Sequence, residues 1–354
     1  MKLEAFGNGW KFSASGNANS WRLLDTRQGE ELFELKCARL NNVSEADALQ
    51  EKCRFHGKLD NLEVEVESQS VYPFGGEAVI DRTHTLRGNL LEVKVDIKPG
   101  RGETVRDLEL EDVVFSGEFS NLEIISTMPE PGQMWQKSAL PLNDSVVWQN
   151  TMPFAVLILT KADGSMPELG CGGDWWRTCG CGSTVWSIEK TADSVTVKRK
   201  VVAIADEVEI ERRPWRFNYY IAWNRGSSAT LMPGKDDTVL EFDPQVAGSC
   251  FTAPAVRKYL RKILRQQLDK SGNIILKTAD VKSCDEAAHL ERPGKKSLRH
   301  WDLGELFALY SWANRTLGED RTFTIELPGD SIFRNLPSGR YLAAPATEAM
   351  VREL

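Results

Sequence analysis

The sequence lacks most of the signals that name a protein. No run of eighteen apolar residues exists. The longest apolar stretch runs only from Phe154 to Leu159, so no segment is long enough to cross a membrane as a helix. Histidine is scarce, with four in 354 residues, which limits histidine-based catalysis. There is no G-x-S-x-G elbow, no P-loop, no H-E-x-x-H and no Rossmann glycine fingerprint, so no cofactor is expected. Positive charge is not in excess either. The net charge is -7 and the pI near 5.4, a poor match for nucleic acid or an anionic membrane surface, since both are negative. Seven cysteines, an odd number without repeated spacing, exclude a complete disulfide framework. The start of the chain, Met1 to Ala5, lacks the apolar centre of a signal peptide, from which a cytoplasmic location is expected.

What is present is a globular composition, 41% hydrophobic and 27% charged. Tryptophan is abundant at 11, which serves cores and binding faces equally well. The first 250 residues read as strands separated by polar turns. Leu62 to Glu67 and Leu91 to Ile97 alternate apolar and charged residues, the pattern of a strand with one buried face. Similar strands are expected over 32–40, 77–86, 107–115, 122–127, 154–160, 184–189, 195–204 and 216–223. Many strands with almost no helical periodicity predict a mainly β fold, a large antiparallel β-sandwich.

Near Thr252 the pattern changes. Pro254 suits a first helical turn, and Val256, Tyr259, Leu260, Ile263, Leu264 and Leu268 share one helical face. Arg257, Lys258, Arg261, Lys262 and Arg265 occupy the other and read as a solvated exterior. A strand over 273–277, a second helix starting at Asp302 and a strand over 322–327 follow. The expected division is a sandwich body over 1–250 and a helix-strand-helix-strand portion over 251–354, packed on the body.

The segment richest in chemistry is 168–182. It holds five glycines, three cysteines, Trp175, Trp176, Asp174 and Arg177 between two strands, and is read as a loop. Aromatic faces stack on the apolar face of a pyranose, while carboxylate and guanidinium groups bind its hydroxyls. Trp135 and Gln136, in a proline-stiffened segment, are further ligand candidates. In the strand that begins near Trp215, residues Arg216, Asn218 and Tyr220 share one side, either a polar groove floor or a solvent-facing surface. Glycoside cleavage needs two carboxylates, one protonated and one ionised. Asp174, Glu168 and Glu130 are the catalytic candidates, with Trp175, Trp176, Arg177, Trp135, Gln136 and Arg216 as binding residues. Cys171, Cys179 and Cys181 have a C-x7-C-x-C spacing, unlike the paired spacing of structural zinc, and no metal is expected.

The stretch Asp81 to Ile97, a strand ending in a leucine, a glycine-containing turn and an alternating strand, resembles the paired strands of galactose-mutarotase-like β-supersandwich proteins. The resemblance implies a two-sheet sandwich with sugar epimerase, lyase or accessory glycosidase roles. Mutarotases of that family use histidines with a carboxylate. His84 falls in the similar pattern, and no second histidine matches. The functional expectation is a saccharide-binding or saccharide-processing protein. The alternative, from another class, is a non-catalytic interaction domain.

Overall fold

The computed structural model describes residues 4–7, 10–14, 20–26, 28–40, 43–44, 47, 49–58, 63–71, 78–87, 89–98, 105–125, 137–151, 154, 156–162, 165–173, 185–208, 215–223, 236–242, 254–267, 270–278, 306, 309–310, 312–314, 316–317, 321–328 and 342–343. Two large antiparallel sheets dominate them. The first runs β1 (Glu4–Gly7), β2 (Trp10–Ala14), β3 (Trp21–Asp25), β4 (Glu30–Leu35), β12 (Val113–Ser116), β19 (Ser194–Val208), β11 (Val105–Glu109), β5 (Arg39–Leu40) and β6 (Val43–Ser44). On the other side of β19 it adds β18 (Val185–Lys190) and β15 (Val146–Asn150). The second sheet runs β14 (Lys137–Ala139), β13 (Phe119–Ile125), β16 (Val156–Lys161), β17 (Glu168–Gly173), β20 (Trp215–Ala222), β10 (Leu90–Lys98), β9 (Val79–Arg87), β8 (Glu63–Val71) and β7 (Leu49–Lys58).

The sheets face each other because each strand offers one apolar side. In β10, Val93, Val95 and Ile97 are buried, while Lys94 and Asp96 between them are partly exposed. The opposing rings interlock across the gap. Trp21 of β3 lies 4.8 Å from the His84 ring of β9, and Phe33 of β4 lies 5.8 Å from Trp223. Burying a phenylalanine such as Phe12, Phe115 or Phe217 contributes about 1.5–3 kcal/mol each. Tryptophan serves this core: Trp10, Trp21, Trp186 and Trp223 are buried, and Trp148 and Trp312 pack against it.

Two local expectations need correction. The segment 107–115 is not one strand. It breaks at Leu110–Asp112, where Leu110 N–H donates to Arg199 O across the sheet. The segment 168–182 is not a loop from its start, since Glu168–Gly173 is strand β17, central in the second sheet. Gly170, Gly172 and Gly173 read as turn residues, but they lie in register with β20.

A third, parallel sheet joins β21 (Thr238–Glu241), β22 (Ile274–Lys277) and β23 (Phe323–Glu326). Helix α1 (Pro254–Gln266) connects the first two and buries Val256, Leu260 and Leu264, while Lys258 and Arg265 stay exposed. Leu306, Leu309, Tyr310 and Ala313 are helical and buried. The strand starts are tied together: Asn273 N–H donates to Asp237 Oδ1 at 2.9 Å, and Thr322 N–H to Asn273 Oδ1 at 3.0 Å. One contiguous apolar cluster includes residues of the sandwich and of this α/β layer.

Candidate functional site

The strongest chemistry lies on two faces of one strand pair, β17 and β20. Their register sets Gly170 opposite Tyr220 and Cys171 opposite Tyr219. Side chains alternate along a strand, so adjacent tyrosines project to opposite sides of the sheet. Tyr219 points between the sheets and Tyr220 points outward.

On the outward face, the register aligns Thr85 of β9, Glu92 of β10, Tyr220 and Gly170 in one row. Glu168 belongs to the same face, two residues before Gly170. Thr85 and Glu92 are 4% exposed, Tyr220 is 2% and Glu168 is 0%, so these side chains form a buried polar cluster and not a solvent-washed sheet surface. The Tyr220 ring lies across the bare backbone of Gly170. A Cβ built there would stand 2.0 Å from Tyr220 Cε1, so glycine is what allows the ring to lie flat. The hydroxyl interacts with Glu168. Burial first, and then the Glu168 charge, push that hydroxyl well above its ordinary value of 10. Farther along the face, Gln69 Nε2 donates to Asp81 Oδ1 at 2.5 Å, and Lys98 pairs with the same carboxylate.

On the inner face a charged group is buried among aromatics. Tyr219 donates its hydroxyl hydrogen to Glu111 Oε1 at 2.5 Å, and Arg82 Nη2 lies 3.5 Å from Glu111 Oε2. Arg199 of β19 donates to the Glu111 carbonyl at 2.6 Å, and its guanidinium stands 4.2 Å over the Tyr219 ring. Burial alone raises a carboxyl's pKa. Here Arg82 and then Arg199 outweigh it, with the Tyr219 bond adding to them, and hold Glu111 down at about 2. Burial pushes the Cys171 thiol up to about 12, against the pull of Arg199. That thiol is inert at neutral pH.

Of the residues singled out in the sequence, Glu168 takes a place in the outward cluster. Arg216 lies in β20 with its backbone paired to Asp96, its side chain being outside the described set. Asp174, Trp175, Trp176, Arg177, Glu130, Trp135 and Gln136 lie outside the described residues, as do Cys179 and Cys181. Strand β17 ends at Gly173. His84 points inward, against Phe12 and Trp21, and burial lowers it to about 3, leaving a neutral core ring. Among the described residues no group of three His, Cys, Asp and Glu side chains could hold a metal ion.

Glu92, Thr85, Arg82, Glu111 and Arg199 were not singled out in the sequence. Glu92 looks like any charge on a half-buried strand, and only the pairing with Tyr220 marks it. Glu111 and Arg199 are 88 positions apart, and no local pattern joins them.

No protein-family model and no curated protein matches the chain. Solved structures do. An α-N-acetylgalactosaminidase from Bifidobacterium bifidum aligns with 92% of this chain at 12% identity and a TM-score of 0.43. This chain spans 58% of that enzyme's length. A galactose mutarotase-like protein from Lactobacillus casei aligns over its whole length with 63% of this chain, at 10% identity and a TM-score of 0.40. An α-galactosidase from Lactobacillus brevis aligns with 94% of this chain and 56% of its own, at 7% identity and 0.36. The chain thus resembles galactose mutarotase-like proteins and glycosidases, and the resemblance is weak.

Proposed function

We propose that the protein binds a saccharide over the outward face of the nine-stranded sheet, at the glycine-bearing strand β17, with the buried cluster around Gly170 as the floor beneath the ligand. The observation that carries this reading is the cluster of Thr85, Glu92, Tyr220 and Glu168 around Gly170. Two carboxylates and two hydroxyls gathered beside one aromatic ring match what a sugar presents, hydroxyls on its rim and C–H groups on its face. Trp175, Trp176 and Arg177, which follow the end of β17, complete the site in this reading, with Asp174 as a polar anchor. Trp135, Gln136 and Arg216 stand as further binding residues.

If a glycosidic bond is broken, two carboxylates share the work, one as proton donor and one as nucleophile or base. Glu168 then joins Glu92, Asp174 and Glu130 as candidates. The interaction-domain reading ranks second. Among the described residues only Val146 and Val239 are exposed large hydrophobic side chains, which gives it little apolar surface to use.

The test is a thermal-shift screen against galactose, N-acetylgalactosamine, glucose and a set of oligosaccharides at millimolar concentration. A sugar at ten times its dissociation constant adds about 1.4 kcal/mol to the native state, a shift of a few degrees. The expected result is a shift with at least one sugar that disappears in Glu92→Gln and in Trp175→Ala. No shift with any sugar, in protein that melts cooperatively, overturns the reading.

A further inference from the structure

We propose that Arg199 and Glu111, buried between the sheets, are positioning residues that hold the floor of the outward-facing site from behind. This inference rests on the saccharide reading for its purpose, though not for its geometry.

The network contacts β17 and β20 directly beneath the site. Arg199 stacks on the Tyr219 ring at 4.2 Å and interacts with the Cys171 side chain. Cys171 and Tyr219 are cross-strand partners, and each is the chain neighbour of one member of the Gly170–Tyr220 pair above. Glu111 fixes the Tyr219 hydroxyl at 2.5 Å and receives Arg199 on its own carbonyl at 2.6 Å. Both Arg199 and Glu111 belong to the first sheet's side of the core, since Arg199 lies in β19 and Glu111 joins β11 to β12. The first sheet therefore grips β17 and β20 at one point. A displacement of Tyr219 or Cys171 moves the shared backbone, and with it Tyr220 and Gly170.

Stability alone is a poor reason for such a network. A buried ion pair recovers little more than the desolvation it costs, and well-packed apolar residues of similar volume often do as well or better. What charged hydrogen bonds supply that oil-like packing does not is direction. Tyr220 tolerates little error, because its ring lies against Gly170 with no room for even one methyl group.

The test replaces the chain's six tyrosines with 3-fluorotyrosine and follows the fluorine resonances, assigned by single Tyr→Phe changes. The perturbing variants are Arg199→Lys, which keeps the charge and loses the fork, and Cys171→Ala, the milder change should the first not fold. The expected result is a moved or split Tyr220 resonance in a folded protein, with Tyr310 of the α/β layer unmoved. Galactose, or whichever sugar the screen identifies, should then bind about tenfold more weakly, about 1.4 kcal/mol. A Tyr220 resonance unchanged in both variants overturns the proposal. So does a movement shared by all the tyrosines, which marks general loosening. A wild-type protein that binds no sugar overturns the functional reading and not the coupling, which the fluorine signals report without any ligand.

Discussion

Tyr219 and Tyr220 are neighbours in one strand, both are buried, and both hydroxyls are held well above the ordinary value for tyrosine. Yet they serve different surroundings. Tyr219 donates a hydrogen bond to a carboxylate that two arginines keep ionised, between sheets that need fixing to one another. Tyr220 lies on bare backbone beside Glu168 and Glu92, on the face turned away from the other sheet. The pair teaches that burial and a shifted hydroxyl do not mark a site. What separates the two is the face they serve: Tyr219 ties one sheet to the other, and Tyr220 lies on the face turned away from it.

The largest expected break in that comparison comes from the inner side. Glu111→Gln leaves Arg82 and Arg199 buried without their anion, and should cost about 3–5 kcal/mol in urea denaturation. Replacing Glu92 or Glu168 by Gln should cost clearly less and act mainly on ligand binding. Equal losses on the two faces would erase the distinction.

Acid comes next. His84 is held at about 3 when folded, against 6.5 when free, because burial disfavours its charged form. Its folded value is the lower one, so the unfolded chain gains the proton first. Stability is then full above pH 6.5 and falls as pH drops from there toward 3, by about 3 kcal/mol at pH 4. Glu111 adds a second loss of the same sign, between its ordinary 4.5 and about 2. Denaturation midpoints at pH 7.5, 6, 5 and 4 check this, and His84→Gln should flatten the upper part of the curve.

Gly170→Ala should cost about 1–3 kcal/mol by forcing the Tyr220 ring aside. Its effect on sugar binding should exceed its effect on the melting temperature. The smallest effect belongs to Tyr220→Phe, which keeps the ring and drops only the hydroxyl. Stability should change by about 1 kcal/mol, with a measurable loss of sugar affinity by calorimetry.

How much of this the sequence announced depends on whether the signal was local. The strands β10 and β20 were legible because their alternation is local, and so was the mainly β class. The single strand read over 107–115 was wrong because its two halves, both paired with β19 far along the chain, take different outer partners, β11 pairing with β5 and β12 with β4. The glycines of β17 read as a turn because glycine usually frees the backbone, whereas at Gly170 it makes room for a ring from the next strand. Trp10, Trp21, Trp186 and Trp223 fill the core and Trp148 and Trp312 pack against it, while Trp135, Trp175 and Trp176, the tryptophans read as binding residues, lie outside the described residues. For His84, the resemblance to mutarotases gave no second histidine to match, and the strand alternation turns the ring into the core. In both misses, 107–115 and the glycines of β17, a cross-strand neighbour, invisible from either residue alone, decided the outcome.

The flat contact between the Tyr220 ring and Gly170 also constrains how the protein can change over generations. A lineage that gains a side chain at position 170 must first, or at once, give up the ring at position 220. Across divergent relatives the two columns should therefore vary together, glycine with aromatic and larger with smaller. That pairing would be readable from sequences alone.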